Sequence, residues 1–162
     1  ALLGVIASAF LMAGAAQAAE KFAYVDLSRI FAEYGKTKEY DKVLGEKEGI
    51  YTNERKKRVD EVKQIQSKYN LLSEKEKELK KGEMESKLKS LQDFDRQKQT
   101  DLRKEQDEKM KEILKDIEEA VKKVAEAEGY TLVFNDRVLV YQTKSLDITD
   151  RVIAIVNKGY KK

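Results

Sequence analysis

The chain has 162 residues, 33 basic against 30 acidic side chains, a formal net charge of +3, and no His, Cys, Trp or Pro. Without His or Cys, a Ser–His–Asp triad, a Cys nucleophile, a zinc finger and a disulfide framework are all excluded. Charged residues make up 39% and aromatic residues 8%, which is typical of long helices and coiled coils. No Gly-rich phosphate loop or calcium-loop pattern is present either. We therefore expect no catalytic residue, no metal site and no cofactor.

The first 19 residues carry no charge and have the pattern of a secretory signal peptide. An apolar run from Leu2 to Met12 is followed by small residues and by Ala16-Gln17-Ala18, which matches the A-x-A cleavage site. A retained anchor is the alternative, but a transmembrane helix needs about 20 strongly apolar residues. We predict that residues 1–18 are cleaved and that the mature chain, 19–162, leaves the cytoplasm.

Short β-forming runs flank a long charged middle. The alternating run Lys21–Asp26 predicts a strand, and Tyr130–Phe134 and Val138–Tyr141 predict two more. Asn135-Asp136-Arg137 has turn chemistry, so the last two runs are predicted to form a β-hairpin.

Capping residues predict where the helices begin and end. Ser28 is the expected N-cap of the first helix, and Gly129 the residue that ends the long helical region. Asp147, with Asp150 three residues later, is predicted to cap a short final helix.

The helical middle is too long for one rod in a small protein, so we predict a hairpin. Ser73 followed by Glu76 forms a capping-box pattern and favours a break just after Asn70. The segment 80–83, which contains Gly82, is the rival position, and Gly35 is a candidate bend. Each arm would then be roughly 40–55 residues, or roughly 60–80 Å, long.

Heptad spacing predicts two apolar seams. Their members are Val62, Ile65, Tyr69, Leu72 and Leu79 in the first, and Met110, Ile113, Ile117, Ala120, Val124 and Ala127 in the second. Only Phe94 and Leu102 are apolar between Gln92 and Lys109. We expect the arm to be thin and able to flex there.

The expected tip of the hairpin is both basic and apolar. Residues 63–89 hold eight Lys and five Glu, which would suit an acidic partner or an anionic membrane surface. Apolar tip residues predict either contact with other chains or packing of the turn itself. The basic run 55–58 indicates a solvated face, or less readily a phosphate contact, and we expect no nucleic-acid partner.

Four carboxylates near the chain ends, Asp26, Asp136, Asp147 and Asp150, are interpreted as helix caps and strand ends rather than as a catalytic group. The two end segments together are small and contain apolar edge strands, so we expect this part to associate with other copies.

The end segments FAYVDLSRIF, GYTLVFNDRVLVY and SLDITDRVI, placed around a long charged hairpin, resemble the Skp/OmpH family of periplasmic chaperones over 21–158. The resemblance implies a homotrimer in which short strands join into a central β-barrel and three helical arms surround a cavity. It further implies that unfolded outer-membrane proteins are held there without ATP.

The resulting prediction is an α+β fold with three parts: the signal peptide 1–18, a β body from 19–27 and 129–162, and an arm, 28–128, with its tip near 70–83. The resemblance places client contacts at the tip, with candidates Leu71, Leu72, Leu79, Met84, Lys80, Lys81, Lys87 and Lys89. It places the oligomer body at Phe22, Tyr24, Val25, Leu132, Phe134, Val138 and Val140, and the base of the arms at Ile30, Phe31, Val121 and Val124. A coiled-coil envelope scaffold is the second hypothesis and a basic nucleic-acid-binding protein the third.

Overall fold

The structure is a computed structural model that describes residues 20–160, so the predicted signal peptide lies outside the described residues. It confirms the predicted α+β fold with a long helical hairpin and a short final helix. The elements in chain order are β1 (Phe22–Val25), α1 (Leu27–Glu33), α2 (Gly35–Asn70), α3 (Glu74–Glu128), β2 (Leu132–Asn135), two 3₁₀ turns (Asp136–Val138 and Lys144–Leu146) and α4 (Thr149–Gly159).

The N-cap of the first helix lies two residues before the predicted one. Asp26 is the N-cap, and its carboxylate accepts a hydrogen bond of 2.9 Å from the backbone N–H of Arg29. Ser28, the predicted cap, lies inside α1, where its hydroxyl oxygen accepts from the Arg137 guanidinium at 2.6 Å. An Asp before a Leu can cap a helix as well as a Ser after it, and the end of β1 at Val25 favours the earlier residue.

The helical region is interrupted at Tyr34, next to the predicted bend at Gly35. Tyr34 has extended backbone geometry (φ −71°, ψ 124°) and is flanked directly by α1 and α2. The second break lies at 71–73, the first of the two positions that the sequence allows, while Gly82 lies within α3. The Glu76 carboxylate accepts from the N–H of Ser73 at 3.0 Å, as the capping pattern predicts.

The two strands pair in parallel, so the predicted β-hairpin is wrong. Phe22 lies opposite Leu132 and Val25 opposite Asn135. The expected turn forms a 3₁₀ turn, in which the Asn135 side chain accepts from the N–H of Arg137. The Arg137 guanidinium donates to Ser28 of α1 at this turn, and the chain does not reverse onto β2. Residues 138–141 consequently form no strand in the described part of the chain.

The core of the body is built around the C-terminal half of α3. Four of its residues, Ile113, Ile117, Ala120 and Val124, are buried together with Ala23, Val25, Ile30, Ile148, Val152 and Val156. The second predicted seam therefore packs on β1, α1 and α4 rather than extending a two-helix coil, and Met110 and Ala127 at its ends are exposed. Ile30 and Val124 lie in this core, and Phe31 and Val121 pack against it.

The final helix starts after Ile148, one residue later than predicted. Asp147 still satisfies its first turn, because its carboxylate accepts from the N–H of Thr149 at 2.9 Å. Asp150 forms no capping box and pairs instead with Arg29 at 2.6 Å. Across residues 20–160, no helix combines the length and apolarity that a membrane span requires.

Candidate functional site

The four apolar residues predicted at the tip fall into two pairs. Leu71 is 88% exposed and Leu79 is 77% exposed, so these side chains project into solvent. Leu72 and Met84 are half-buried. Packing of the turn therefore accounts for Leu72 and Met84 and not for Leu71 and Leu79.

A groove of about 320 Å³ lies just behind the turn, between the ends of α2 and α3. Its apolar side is formed by Ile65, Tyr69 and Leu72, and its polar rim by Lys68, Lys80 and Glu83. The first predicted seam closes around it: Val62 is buried, and Ile65, Tyr69 and Leu72 are half-buried. Leu79 does not belong to the packed seam because it is exposed.

The lysines of the tip are largely unneutralised. Lys77 pairs with Glu74 at 2.8 Å and Lys80 with Glu83 at 2.9 Å, both within α3. Hydrogen bonds from Ser73 lower the pKa of Glu76, and the hydrogen bond from Lys80 lowers that of Glu83. Lys81, Lys87 and Lys89 are exposed and have no salt bridge in the described part of the chain. With eight Lys and five Glu, 63–89 carries a charge of +3.

In the middle of the arm, an aromatic and ionic contact joins α2 to α3 in a stretch where the sequence has few apolar residues. The rings of Tyr51 and Phe94 lie 5.7 Å apart, and the Arg58 guanidinium lies 4.2 Å above the Phe94 ring. Asp95 accepts from the Tyr51 hydroxyl at 3.1 Å and pairs with Arg55 at 3.0 Å. The basic run 55–58 is therefore not wholly solvated, because Arg55 and Arg58 pack on α3.

Further exposed apolar residues lie along the arm, and the sequence reasoning missed most of them. Val43 and Ile50 on α2 are 36% and 59% exposed. Leu88, Met110 and Leu114 on α3 are 38%, 45% and 37% exposed. The heptad pattern offered a signal for all of them except Met110, which belongs to the second seam, since apolar residues outside both seams have no expected partner on the other helix.

A second exposed apolar surface lies on the body, and we call it the sheet patch. It consists of Phe22, Leu132, Phe134, Val138, Val140 and Tyr141, all at least 38% exposed. The Phe22 and Phe134 rings lie 6.3 Å apart. Of the predicted oligomer residues, Tyr24 and Val25 are buried within the chain instead. Phe22 also lies opposite Leu132 in the strand pairing, so Phe22, Leu132 and Phe134 lie close together, and monomeric proteins seldom expose contiguous apolar surface without using it.

The base of the arm contains a polar cluster that the sequence reasoning missed. Lys36 pairs with Glu112 at 2.5 Å and with Asp116 at 2.7 Å, and the Tyr34 hydroxyl donates to the same Asp116 oxygen. Hydrogen bonds from Lys109 and Lys36 lower the pKa of Glu112 to about 2. No local pattern signals this cluster, because its members lie about eighty residues apart.

Of the four carboxylates near the chain ends, Asp26 and Asp147 accept backbone hydrogen bonds at the start of α1 and α4, which agrees with their interpretation as helix caps and strand ends. Asp136 lies in a 3₁₀ turn, and Asp150 pairs with Arg29. Among residues 20–160, no three or more Asp and Glu side chains are grouped so that they could hold a metal ion.

Comparisons with known proteins agree on one family. The family model described as outer membrane protein (OmpH-like) matches residues 21–156. The crystal structure of a candidate outer membrane chaperone (OmpH-like) from Caulobacter crescentus superimposes with a TM-score of 0.70. It shares 14% sequence identity, and the match covers 88% of this chain and 87% of the other. No curated protein matches significantly.

Proposed function

Since the chain belongs to the OmpH-like family of outer membrane proteins, we propose that it is an ATP-independent holdase chaperone of the periplasm. Its clients are unfolded outer-membrane proteins, which it binds between its helical arms and keeps from aggregating. Export depends on residues 1–18, which act as the cleaved signal peptide. The candidate chaperone from Caulobacter crescentus supports this function through its name and the shared fold.

The observation that carries the proposal is the set of apolar side chains exposed along an arm made otherwise of charged residues. Leu71 and Leu79 at the tip, with Ile50 farther down α2, are each more than half exposed. Such side chains give many weak, non-directional contacts to the apolar residues of an unfolded chain. Because each contact is small, a client can leave without an energy source.

The sheet patch supports a homotrimer as the working assembly. One edge of β2 pairs with β1, and its other edge has no strand partner in residues 20–160. An unpaired edge followed by the exposed Val138 and Val140 favours pairing with another copy. The number three comes from the family resemblance. In a trimer, three arms would enclose the client cavity.

The tip charge supports a contact with anionic membrane surfaces. Segment 63–89 supplies +3, equal to the formal charge of the whole chain, so the positive potential is concentrated at one end. Charge of this kind speeds association with acidic clients or lipids and is screened by salt.

The test is a dilution assay with purified 19–162. A urea-unfolded outer-membrane β-barrel is diluted into buffer with and without the protein, and aggregation is followed by light scattering. We expect suppression at about one oligomer per client without ATP. Unchanged scattering at excess protein would reject the holdase function and favour the envelope scaffold, which would bind one fixed partner.

The tip is tested by replacing Leu71 and Leu79 with Ser in one chain. We expect weaker client binding, because two exposed apolar contacts are lost, while the fold is unaffected. The matched control replaces both residues with Met, which retains the apolar surface. Equal client affinity of the Ser and Met variants would remove the tip from the client-binding surface.

The assembly is tested by sedimentation equilibrium of the wild-type chain and of Val140→Asp. We expect a trimer that dissociates or weakens when a charge enters the sheet patch. Leu79→Asp, a change to an exposed Leu on the arm, is the control and is expected to leave the mass unchanged.

A further inference from the structure

The break at Tyr34 leaves backbone groups without helical partners. Because Tyr34 is extended, α1 ends at Glu33 and α2 begins anew at Gly35. The last carbonyls of a helix and its first N–H groups have no partner within the helix. The Glu33 carbonyl and the Gly35 N–H are one group of each kind, on opposite sides of the break.

A single side chain satisfies both groups. The Asn157 amide oxygen accepts from the Gly35 N–H at 2.8 Å, and its amide nitrogen donates to the Glu33 carbonyl at 3.2 Å. Asn157 lies in the last turn of α4, which the buried Val152 and Val156 anchor in the core. One end of α4 is thus hydrogen-bonded to both helices that meet at the break.

Tyr160, just beyond α4, covers the same position. A Cβ atom at Gly35 would lie 2.9 Å from Cδ1 of the Tyr160 ring, so the two residues are in close contact. The Tyr160 ring also meets the Tyr34 ring edge-on, with 5.8 Å between ring centroids. The backbone of Gly35 is not left-handed, so it is this approach that requires a glycine.

We propose that the end of α4 is a clamp that sets the direction in which α2 leaves the body, with Asn157 as its positioning residue. Helix α3 runs unbroken from the core to the tip, so packing in the body fixes its direction. Helix α2 has no such continuity: side-chain contacts such as those of Lys36 and Tyr51 hold it to α3 farther along, and the break sets how its first turn leaves the body. The clamp acts on that first turn beside the Lys36 ion pairs, and losing it loosens the start of α2 while α3 stays in place.

The first test is amide hydrogen exchange on Asn157→Ala and on the matched control Asn53→Ala. Asn53 is exposed on α2 and forms no side-chain hydrogen bond in the described part of the chain. We expect amides at 34–40 to exchange about tenfold faster in Asn157→Ala, because one partly buried and one exposed hydrogen bond are lost, and to be unchanged in the control. Unchanged exchange at 34–40 in both variants would overturn the clamp.

A purely structural role for Asn157 predicts a different pattern. If the substitution only weakens the body, exchange rises equally at 34–40 and at the buried residues 113–124 of α3, and this result would also overturn the proposal. Asn157→Asp keeps an acceptor for Gly35 and lacks the donor to Glu33. We expect its exchange rates at 34–40 to lie between those of wild type and Asn157→Ala.

The second test measures the arm directly and requires no client, so it is independent of the chaperone function. The chain has no Cys, which allows spin labels on Lys42→Cys in α2 and Glu118→Cys in α3, both at exposed positions. We expect the interlabel distance distribution to broaden when Asn157→Ala is added. Superimposable distributions would show that α2 keeps its direction without the clamp.

Discussion

The Tyr34 hydroxyl donates a 2.8 Å hydrogen bond to Oδ2 of Asp116, a residue 82 positions later in the chain. Tyr34 is 4% exposed, so this bond satisfies an oxygen that would otherwise be buried without a partner. Lys36 brings its charge to the same carboxylate oxygen. The bond joins the helix break to α3 at the point where the arm enters the body.

Replacing Tyr34 with Phe is expected to lower the free energy of unfolding by about 1 kcal/mol at pH 7. The ring remains buried, and Asp116 keeps Lys36 as a partner, so the loss is that of one hydrogen bond. Urea denaturation measures the difference. Tyr69→Phe is the control, because the Tyr69 hydroxyl has no hydrogen bond among the described residues. Equal stability of wild type and Tyr34→Phe would contradict the expectation.

The raised pKa of the Tyr34 hydroxyl predicts a loss of stability at alkaline pH. Burial, with the hydrogen bond to Asp116, raises the pKa of Tyr34 to about 12, against about 10 in the unfolded chain. The folded state therefore holds this proton more tightly, and its contribution is complete below pH 10 and disappears between pH 10 and about 12. Tyr34→Phe should show a shallower decline than wild type in unfolding measured over that range. Parallel declines would rule out this contribution.

Glu112 predicts a loss of stability in acid. Hydrogen bonds from Lys109 and Lys36 lower its pKa from 4.5 to about 2. A lowered folded-state pKa means that the stabilisation is present above pH 4.5 and is lost as the pH falls from 4.5 to about 2. Glu112→Gln should be less stable than wild type at pH 7 by about 0.5 kcal/mol, since the pair is partly exposed. The difference in free energy of unfolding should vanish near pH 2. The control is Glu118→Gln, because Glu118 is exposed and has no salt bridge in residues 20–160, and this variant should be as stable as wild type at both pH values.

Removing the charge of Asp95 is expected to loosen the contact between α2 and α3 in the middle of the arm. Asp95 accepts from Tyr51 and pairs with Arg55, so Asp95→Asn removes the charge from a polar contact between α2 and α3 that lies beside the Lys47–Glu105 ion pair. We expect amides at 47–58 to exchange about five to ten times faster, with 113–124 unchanged. The neighbouring exposed Asp93, changed to Asn, is the control. If both variants exchange alike, the pair does not hold the arm.

Replacing Gly129 or Gly82 with Ala is expected to change the free energy of unfolding in opposite directions. Gly129 ends α3 with φ +73°, a conformation that costs an L-residue about 1 kcal/mol, so Gly129→Ala should destabilise the chain by that amount. Gly82 lies within α3 with open space around it, so Gly82→Ala should stabilise by about 0.5–1 kcal/mol. Thermal unfolding compares the two. A destabilising Gly82→Ala would indicate that the helix is not continuous there.

Local signals in the sequence were sufficient for the arm. The capping pattern of Ser73 and Glu76 located the turn, and Gly129 located the end of α3, because both act within a few residues of backbone. The charged composition, with no Pro, predicted two long helices because helix propensity is also a local property of the chain. The cap of α1 was misplaced by two residues, since Asp26 and Ser28 are both good caps and only the end of β1 selects between them.

Tertiary structure alone decided the contacts between distant segments. The turn at 135–137 has hairpin chemistry, yet β2 pairs with β1, more than a hundred residues earlier, because the long helical hairpin returns the chain to its starting point. The hydrogen bonds of Asn157 across the helix break, and the pairing of Lys36 with Glu112 and Asp116, likewise join residues that share no local pattern. Capping and periodicity act over a few residues and can be read from the chain, whereas strand pairing and ion pairing depend on which surfaces folding brings together.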